Sequence, residues 1–285
     1  MDKQEIVIVN LGAFGDIINS TPIVKHYSMS GFRVTYVTRS KYTSVLKNNE
    51  FIDKIYCFDR NNGLNNMKLT LISQKLINTS FAKAAKIIYS APYMAEKYNG
   101  TPRSDLLSII RDECSGIDKW LCDFVPIIRL SKDEEKEAQD FYSNLQKRKT
   151  ILIEYEYYSH QSYLDHSHIT KILENFKENI NVIFTGKNPP KEIDIYLKKF
   201  KKHNIVHYSG SFVSNAKLYN LCDLFIGCCS GITCLTSSDY CIDVETKRIE
   251  FCRGDHWSST QWKHNENKKK IIFPDDDVAD FLENL

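Results

Sequence analysis

The sequence predicts an α/β fold of two domains, and three observations lead to this prediction. Short apolar segments alternate with amphipathic segments in both halves of the chain, which is typical of parallel sheets covered by helices. A polar hinge, Lys147-Arg148-Lys149, separates the two halves. The 285 residues are enough for two domains of ordinary size. We therefore expect domains at 1–148 and 149–285, with a ligand in the cleft between them.

Four strands and three helices are predicted in the first half. The strands are expected at 4–10, 33–38, 54–58 and 85–90, and the helices at about 20–29, 41–48 and 67–82. The segment 92–125 is interrupted by prolines and glycines and contains a helix-like part at 103–113. We expect this segment to form substrate-facing loops, because binding residues are often carried by loops on a rigid scaffold.

A capped helix is predicted before the hinge, at the end of the first domain, and after the hinge the alternation of strands and helices begins afresh. Ser131 followed by acidic Asp133 and Glu134 is typical of a helix start, and the helix is expected to reach Gln146. Strands are predicted at 150–155, 181–185, 205–208, 223–227 and 247–252, and helices at 167–178, 190–202, 214–222 and 231–238. A last helix is predicted near 276–284. Whether it packs back on the first domain stays open.

The composition and charge of the chain indicate which kinds of partner and which cellular location to expect. The formal net charge of +2 gives no general attraction to nucleic acid. No apolar run reaches the length of about 18 residues that a transmembrane helix needs, and the start lacks an apolar signal region. The nine cysteines are odd in number and irregularly spaced, as expected for reduced thiols. We therefore predict a cytoplasmic protein, with peripheral contact at the inner face of the membrane left open.

The first candidate site follows the first strand. An apolar run at 6–9 leads through Asn10 into Leu11-Gly12-Ala13-Phe14-Gly15-Asp16 and then into a helical segment. A glycine turn between a strand and a helix places a ligand at the carboxyl end of a parallel sheet. The carboxylate of Asp16 suggests chemistry as well as binding. The alternative is that Asp16 only braces the turn, with Asn19 or Ser20 capping a helix that carries Pro22 in its first turn.

The second candidate site lies at strand ends in the second half. Small and hydroxyl residues follow three predicted strands, namely Gly186-Lys187, Ser209-Gly210-Ser211 and Cys228-Cys229-Ser230-Gly231. At the last of these turns, helix N–H groups with the hydroxyls of Ser230 and Thr233 favour a phosphate group, although helix capping alone would select the same residues. The spacing matches neither a dinucleotide-binding GxGxxG nor a P-loop, which disfavours nicotinamide chemistry and ATP hydrolysis.

These motifs resemble those of the heptosyltransferase-like glycosyltransferases, glycosyltransferase family 9. The opening strand, Leu11-Gly12-Ala13-Phe14-Gly15-Asp16 and Thr21-Pro22 are similar to the family's strand, Leu-Gly-x-x-Gly-Asp and Thr-Pro. The family's later turns correspond to Thr185-Gly186-Lys187, Ser209-Gly210-Ser211 and Cys229-Ser230-Gly231-Ile232-Thr233-Cys234. The resemblance covers residues 4–27 and 150–240.

The resemblance implies a GT-B fold, in which two Rossmann-like domains face each other across a cleft. It implies transfer of heptose or another hexose-like sugar from a nucleotide-diphosphate donor to a bacterial surface glycan, with inversion and with Asp16 as general base. The implied acceptor-side loop comprises Gly12, Ala13, Phe14, Gly15 and Asn19, and the implied donor site comprises Gly186, Lys187, Ser209, Gly210, Ser211, Ser230, Gly231, Ile232 and Thr233. The resemblance implies that no metal is needed. It implies no cofactor either, since the nucleotide sugar is a co-substrate. The acceptor is a glycan or a lipid-linked glycan.

The chain departs from the family pattern at four places, one of which is the loop after the first strand of the second domain, where the usual basic residue is not evident between Tyr155 and Tyr163. Cys229 stands where the family has Asp, Cys234 where it has His, and Asn10 where a basic residue is common. These departures leave another nucleotide sugar or acceptor open. They also leave open a sugar-nucleotide epimerase of the same fold and a non-catalytic protein that binds nucleotides or glycans.

Three further groups of residues can be interpreted as having either a purely structural role or a functional one. Six cysteines between 222 and 252 lack paired CxxC spacing, so buried thiols are expected rather than a zinc site. The aromatic segment at 256–264 could line a sugar pocket or simply pack. Glu154 and Glu156 alternate at a strand end, so only one of them can face the cleft, and a second catalytic carboxylate is expected there if one exists.

Overall fold

A computed structural model describes residues 3–59, 66–91, 106–155, 162–228, 230–252 and 269–272. Contacts divide the chain into two units, Met1–Arg129 and Leu130–Leu285. The division lies before the predicted boundary at 148, because the helix Lys132–Ser143, which was predicted to end the first domain, packs within the second unit. None of the helices within the described ranges combines the length and the apolar character needed to cross a bilayer.

The first unit contains a parallel sheet of four strands in the order β3-β2-β1-β4. These strands are β1 (Glu5–Val9), β2 (Arg33–Thr38), β3 (Lys54–Cys57) and β4 (Lys86–Tyr89). The β-branched side chains of β1 are almost completely buried, as expected for an inner strand covered on both faces. Because the chain leaves β1 toward β2 on one side and reaches β4 on the other, a topological switch point lies between β1 and β4.

The helices of the first unit are α1 (Phe14–Met29), α2 (Asn66–Ser80) and α3 (Leu106–Ile109), with a 3-10 turn at Ser40–Val45 and a π-helical turn at Ile110–Cys114. The predicted start of α1 near residue 20 is wrong. Helix α1 begins at Phe14, so Asp16 lies in its first turn and Pro22 lies inside it. The helix continues through Pro22 because the hydroxyl of Thr21 donates to the Ile18 carbonyl oxygen at 2.7 Å, replacing the hydrogen bond that proline cannot make.

The second unit contains a parallel sheet of six strands in the order β10-β9-β8-β5-β6-β7. The strands are β5 (Thr150–Glu154), β6 (Asn181–Thr185), β7 (Asn204–Tyr208), β8 (Leu224–Gly227), β9 (Lys247–Phe251) and β10 (Lys269–Ile272). Strand β10, which begins with Lys269 and Lys270, was not among the predicted strands. The switch point of this sheet lies between β5 and β8.

In the described part of the second unit, the α-helices are α4 (Lys132–Ser143), α5 (His166–Asn175), α6 (Ile193–Lys199), α7 (Asn215–Leu221) and α8 (Gly231–Leu235). The predicted start of α4 is confirmed: Ser131 and Glu134 form a reciprocal capping box. Apolar residues of α5, including Ile169, Ile172 and Leu173, are buried against the sheet. The predicted α/β class with parallel sheets is therefore confirmed in each unit. The predicted helix near 276–284 lies outside the described residues.

Candidate functional site

Asn10 organises the first candidate site, at the switch point between β1 and β4. Its side chain is completely buried. The amide oxygen accepts the Gly12 N–H at 2.9 Å, and the amide nitrogen donates to the Asp16 carbonyl oxygen at 3.1 Å and to Ser90 Oγ at 3.4 Å. A neutral amide therefore joins the end of β1, the glycine turn, the start of α1 and the end of β4.

Asp16 combines a structural contact with a free oxygen. Its Oδ2 accepts a hydrogen bond from the backbone N–H of Ala13 at 2.9 Å. The carboxylate therefore stabilises the start of the helix, as expected if Asp16 only braces the turn. Within the described parts of the chain, no hydrogen bond engages Oδ1. The residue is partly buried. Burial raises the pKa of Asp16, although the Ala13 hydrogen bond acts in the opposite direction. Both interpretations of Asp16 thus remain compatible with its geometry.

Only glycine fits at position 12, because the side chains of Asp16 and Asn10 lie very close to its backbone. A Cβ added at this position would lie 2.6 Å from the Cβ of Asp16 and 2.8 Å from Oδ1 of Asn10. Contacts this short do not occur between real side chains, so any larger residue would displace Asp16. The glycine therefore permits the tight contact between the turn and the carboxylate.

The other predicted acceptor-side residues share this edge of the sheet. Ala13 is exposed, and Phe14, Gly15 and Asn19 are half-buried at the start of α1. The ring of Phe14 meets the ring of Tyr42 edge-on, with centroids 4.9 Å apart. Lys41 Nζ lies 4.6 Å from the centre of the Tyr42 ring, and the Arg39 guanidinium lies 5.7 Å from it. Aromatic and cationic groups thus lie on the 3-10 turn next to the glycine turn, an association that the sequence did not reveal.

Glu154 lies at the end of β5, at the switch point of the second sheet, and is completely buried. Its carboxylate accepts four hydrogen bonds: from the N–H groups of Cys228 (3.2 Å) and Ile232 (3.3 Å), from Thr233 Oγ1 (2.6 Å) and from Ser230 Oγ. Burial raises the pKa of Glu154, and these hydrogen bonds lower it by a smaller amount. Groups that were predicted to hold a phosphate are therefore directed at a carboxylate of the same chain.

Gly227 allows α8 to approach the sheet beside Glu154. A Cβ on Gly227 would lie 2.5 Å from Thr233 Oγ1 and 2.7 Å from Cε1 of Phe225. The glycine therefore lets the Thr233 hydroxyl reach the Glu154 carboxylate. This close packing explains why small residues end β8, whether or not a ligand binds there.

A buried ion pair on β9 supports the same helix. Arg248 and Glu250 lie 3.1 Å apart, and both side chains are completely inaccessible to solvent. The guanidinium of Arg248 also donates to the carbonyl oxygens of Thr233 and Thr236, both at 3.2 Å, and so caps the end of α8. This pair was not predicted, because alternating charges on a strand ordinarily face solvent. The position of β9 inside the sheet makes the difference.

The remaining predicted donor residues follow β6, which pairs with β5, and β7, which pairs with β6 at the edge of the sheet. Gly186 has a positive φ of 152° and accepts a hydrogen bond at its carbonyl oxygen from His207 Nε2 at 3.0 Å, and Lys187 is exposed. Ser209 is exposed, and Gly210 is half-buried over the ring of Tyr208. Three predicted turns therefore lie along one edge of the sheet.

Ser211 lies beside two glutamate side chains, a contact that was not predicted from the sequence. Its N–H donates to Glu137 at 3.3 Å, and its hydroxyl donates to Glu134 at 3.5 Å. Both glutamates belong to α4, which contacts α7. A phosphate at Ser211 would lie near two carboxylates, which makes this turn a poor place for an anion.

The cysteines of the second unit are mostly packed in its interior. Cys222, Cys228, Cys234, Cys241 and Cys252 are buried thiols that take part in no disulfide bond among the described residues. Burial raises the pKa of Cys241 to about 12, which keeps it protonated at neutral pH. Among the described residues, no group of three or more His, Cys, Asp or Glu side chains is arranged to hold a metal ion. Cys229, Glu156 and the aromatic segment at 256–264 lie outside those residues.

No protein-family profile matches the chain, and neither does any curated protein. Solved structures do match over almost its whole length. A glycosyl transferase of family 9 from Veillonella parvula has a TM-score of 0.65 at 14% identity, covering 97% of this chain and 89% of that one. The ADP-heptose lps heptosyltransferase II of E. coli has a TM-score of 0.61 at 10% identity, covering 94% and 90%. The chain has the fold of the GT-B glycosyltransferases.

A further neighbour is TibC, an iron-containing dodecameric glycosyltransferase from enterotoxigenic E. coli. Its TM-score is 0.55 at 10% identity, and the match covers 87% of this chain and 58% of TibC. At such identities, the similarity concerns the fold. Activity has to be argued from the sites of this chain.

Proposed function

We propose that this GT-B protein is a glycosyltransferase in which Asp16 acts as general base. The observation that carries the proposal is the Asp16 carboxylate, one oxygen of which is held by the Ala13 N–H while Oδ1 has no hydrogen-bond partner within the described residues. A general base needs a fixed geometry and a pKa nearer to the working pH than that of an exposed aspartate. The contact with Ala13 supports the first requirement, and the raised pKa of Asp16 supports the second.

The proposed reaction inverts the configuration at the anomeric carbon. Asp16 takes the proton of an acceptor hydroxyl while that oxygen forms the new bond to the anomeric carbon. The bond between this carbon and the donor phosphate breaks, and the electron pair leaves with the nucleoside diphosphate. Negative charge then grows on the leaving group and needs hydrogen-bond donors in fixed positions.

The donor is proposed to be a nucleotide-diphosphate sugar held by the second unit. The predicted binding residues Gly186, Lys187, Ser209, Gly210 and Ser211 lie on turns at the carboxyl edge of the second sheet. The exposed Lys187 offers a positive charge, whereas Ser211, beside Glu134 and Glu137, is the least suited of the five to a phosphate. Ser230, Gly231, Ile232 and Thr233 remain predicted donor residues. Their binding of a phosphate requires that the Glu154 carboxylate give up its hydrogen bonds.

The finer assignments rest on the resemblance and on the neighbours. The heptosyltransferase neighbour acts on ADP-heptose, which supports heptose or a hexose-like sugar as the transferred group. A bacterial surface glycan or lipid-linked glycan as acceptor, a cytoplasmic location and independence of metal ions are proposed on the same ground. The iron in TibC makes a metal measurement on the purified protein part of the test.

One observation favours a second candidate, a non-catalytic binding protein. The donors of the segment between β8 and α8 are already engaged with Glu154, so a nucleotide diphosphate does not find them free. Such a protein would bind a glycan or a nucleotide without turnover.

A donor screen with the purified chain tests the proposal. The chain is incubated with ADP-, UDP-, GDP- and TDP-sugars, with and without a panel of glycan acceptors, and release of nucleoside diphosphate is measured. We expect release that depends on the acceptor, in protein free of bound metal. Conversion of the donor without acceptor would indicate an epimerase instead. Binding without turnover across the panel would indicate the non-catalytic protein.

A further inference from the structure

The surroundings of Glu154 are of the kind that binds an anion. Two backbone N–H groups and two hydroxyls converge on its carboxylate from Cys228, Ile232, Ser230 and Thr233. Backbone N–H groups can only donate, and converging donors of this kind hold phosphates in other proteins. Here the anion is supplied by the chain itself, from a strand 74 positions earlier than Cys228.

A phosphate and Glu154 cannot use these donors together. The donors are few, and two anions side by side in a buried site repel each other. The buried guanidinium of Arg248 is not available to relieve this repulsion, because it is paired with Glu250 at 3.1 Å and donates to the carbonyl oxygens of Thr233 and Thr236. A phosphate that enters must therefore replace the carboxylate.

Building on the proposed function, we propose that Glu154 is an internal competitor of the donor's phosphate groups. With the donor absent, the Glu154 carboxylate fills the segment between β8 and α8 and satisfies its hydrogen bonds. Donor binding displaces the carboxylate, and its return favours release of the nucleoside diphosphate. Glu154 thus weakens phosphate binding and keeps the empty site ordered.

The proposal predicts a measurable gain of affinity when the carboxylate is removed. If the carboxylate holds the site in about nine of ten molecules, the apparent Kd of a phosphate ligand is about tenfold weaker than that of the open site. Isothermal titration with inorganic pyrophosphate and with ADP and UDP therefore compares the wild-type chain with Glu154→Ala and Glu154→Gln. We expect both variants to bind pyrophosphate about tenfold more tightly or better.

Glu192→Gln is the matched control. Glu192 accepts a hydrogen bond from the Tyr155 hydroxyl at 2.7 Å and is half-buried. Its substitution removes a negative charge from the same unit without touching the four donors around Glu154, so its Kd should stay close to that of the wild type. Adding Thr233→Val to Glu154→Ala should reverse part of the gain, because it removes one of those donors.

Equal or weaker pyrophosphate binding in both Glu154 variants overturns the proposal, as does an equal gain in Glu192→Gln. If circular dichroism shows that Glu154→Ala is unfolded, the isosteric Glu154→Gln decides. Absence of pyrophosphate binding in every folded variant also overturns it. Failure of this proposal can be told apart from failure of the proposed function. The proposed function fails if no acceptor-dependent sugar transfer is measured, whereas competition by Glu154 is tested by ligand binding alone.

Discussion

Thr233 Oγ1 donates to Glu154 Oε2 at 2.6 Å, across 79 positions of the chain. The hydrogen bond closes the switch point of the second sheet, between β5 and β8. In the first unit, Asn10 Nδ2 donates to Ser90 Oγ at 3.4 Å and closes the switch point between β1 and β4. Each unit therefore joins the two strands that flank its switch point through a polar side chain, at the place where α/β folds bind ligands. The first unit uses a neutral amide and the second a carboxylate.

Thr233→Val should destabilise the second unit. The substitution removes a hydrogen bond to a buried carboxylate, and such bonds contribute about 1.5–3 kcal/mol to the free energy of unfolding. Chemical denaturation measures the loss. Thr236→Val is the control, because Thr236 Oγ1 donates only to the neutral Thr233 carbonyl oxygen at 2.8 Å, a contact worth about 0.5–1.5 kcal/mol. Equal losses in the two variants would show that the contact with Glu154 adds nothing.

Arg248→Met should be more harmful than the double change with Glu250→Leu. The single variant leaves Glu250 buried without its cation, at a cost of about 3–5 kcal/mol of unfolding free energy. The double variant removes both charges, so we expect it to regain much of the stability. Thermal and denaturant unfolding of the three proteins gives the comparison. A double variant less stable than the single one would mean that contacts other than the one with Arg248 stabilise Glu250.

The pH dependence of sugar transfer should report Asp16. Burial raises the pKa of this carboxyl group, so it binds a proton at a higher pH than an ordinary aspartate, whose pKa is about 4. Because a general base must be ionised, kcat/KM should fall as the pH drops through the raised value. The same profile measured for Asp16→Asn should lack this acidic limb. Its persistence in the variant would assign the limb to another group.

Local patterns in the sequence predict much of the fold. The apolar run at 6–9 and the box of Ser131 with Glu134 mark β1 and the start of α4, since a buried strand and a helix cap each depend on neighbouring residues. The start of α1 is harder to predict. Pro22 suggests a first turn, and the Thr21 hydroxyl that lets the helix pass through Pro22 reveals its role only in three dimensions.

Long-range contacts explain why the second site differs from its prediction. The sequence places Glu154 at a strand end, where a catalytic carboxylate was expected if a second one existed. Whether that carboxylate faces a cleft depends on Ser230 and Thr233, which are far along the chain. Likewise, β10 turns β9 into an inner strand, so Arg248 is buried although its sequence surroundings suggest exposure.

The central claim is that Asp16 is the general base, and one comparison of variants tests it directly. Asp53→Asn is the control for Asp16→Asn, because the Asp53 carboxylate also accepts a backbone N–H, that of Val34 at 2.7 Å. Asp53 precedes β3 and therefore lies at the amino ends of the strands, whereas Asp16 lies at their carboxyl ends. The measurement is the rate of acceptor-dependent sugar transfer at saturating donor. We predict a fall of about 100-fold or more for Asp16→Asn, with donor Kd unchanged, and a rate near wild type for Asp53→Asn. Full activity in Asp16→Asn would contradict the account.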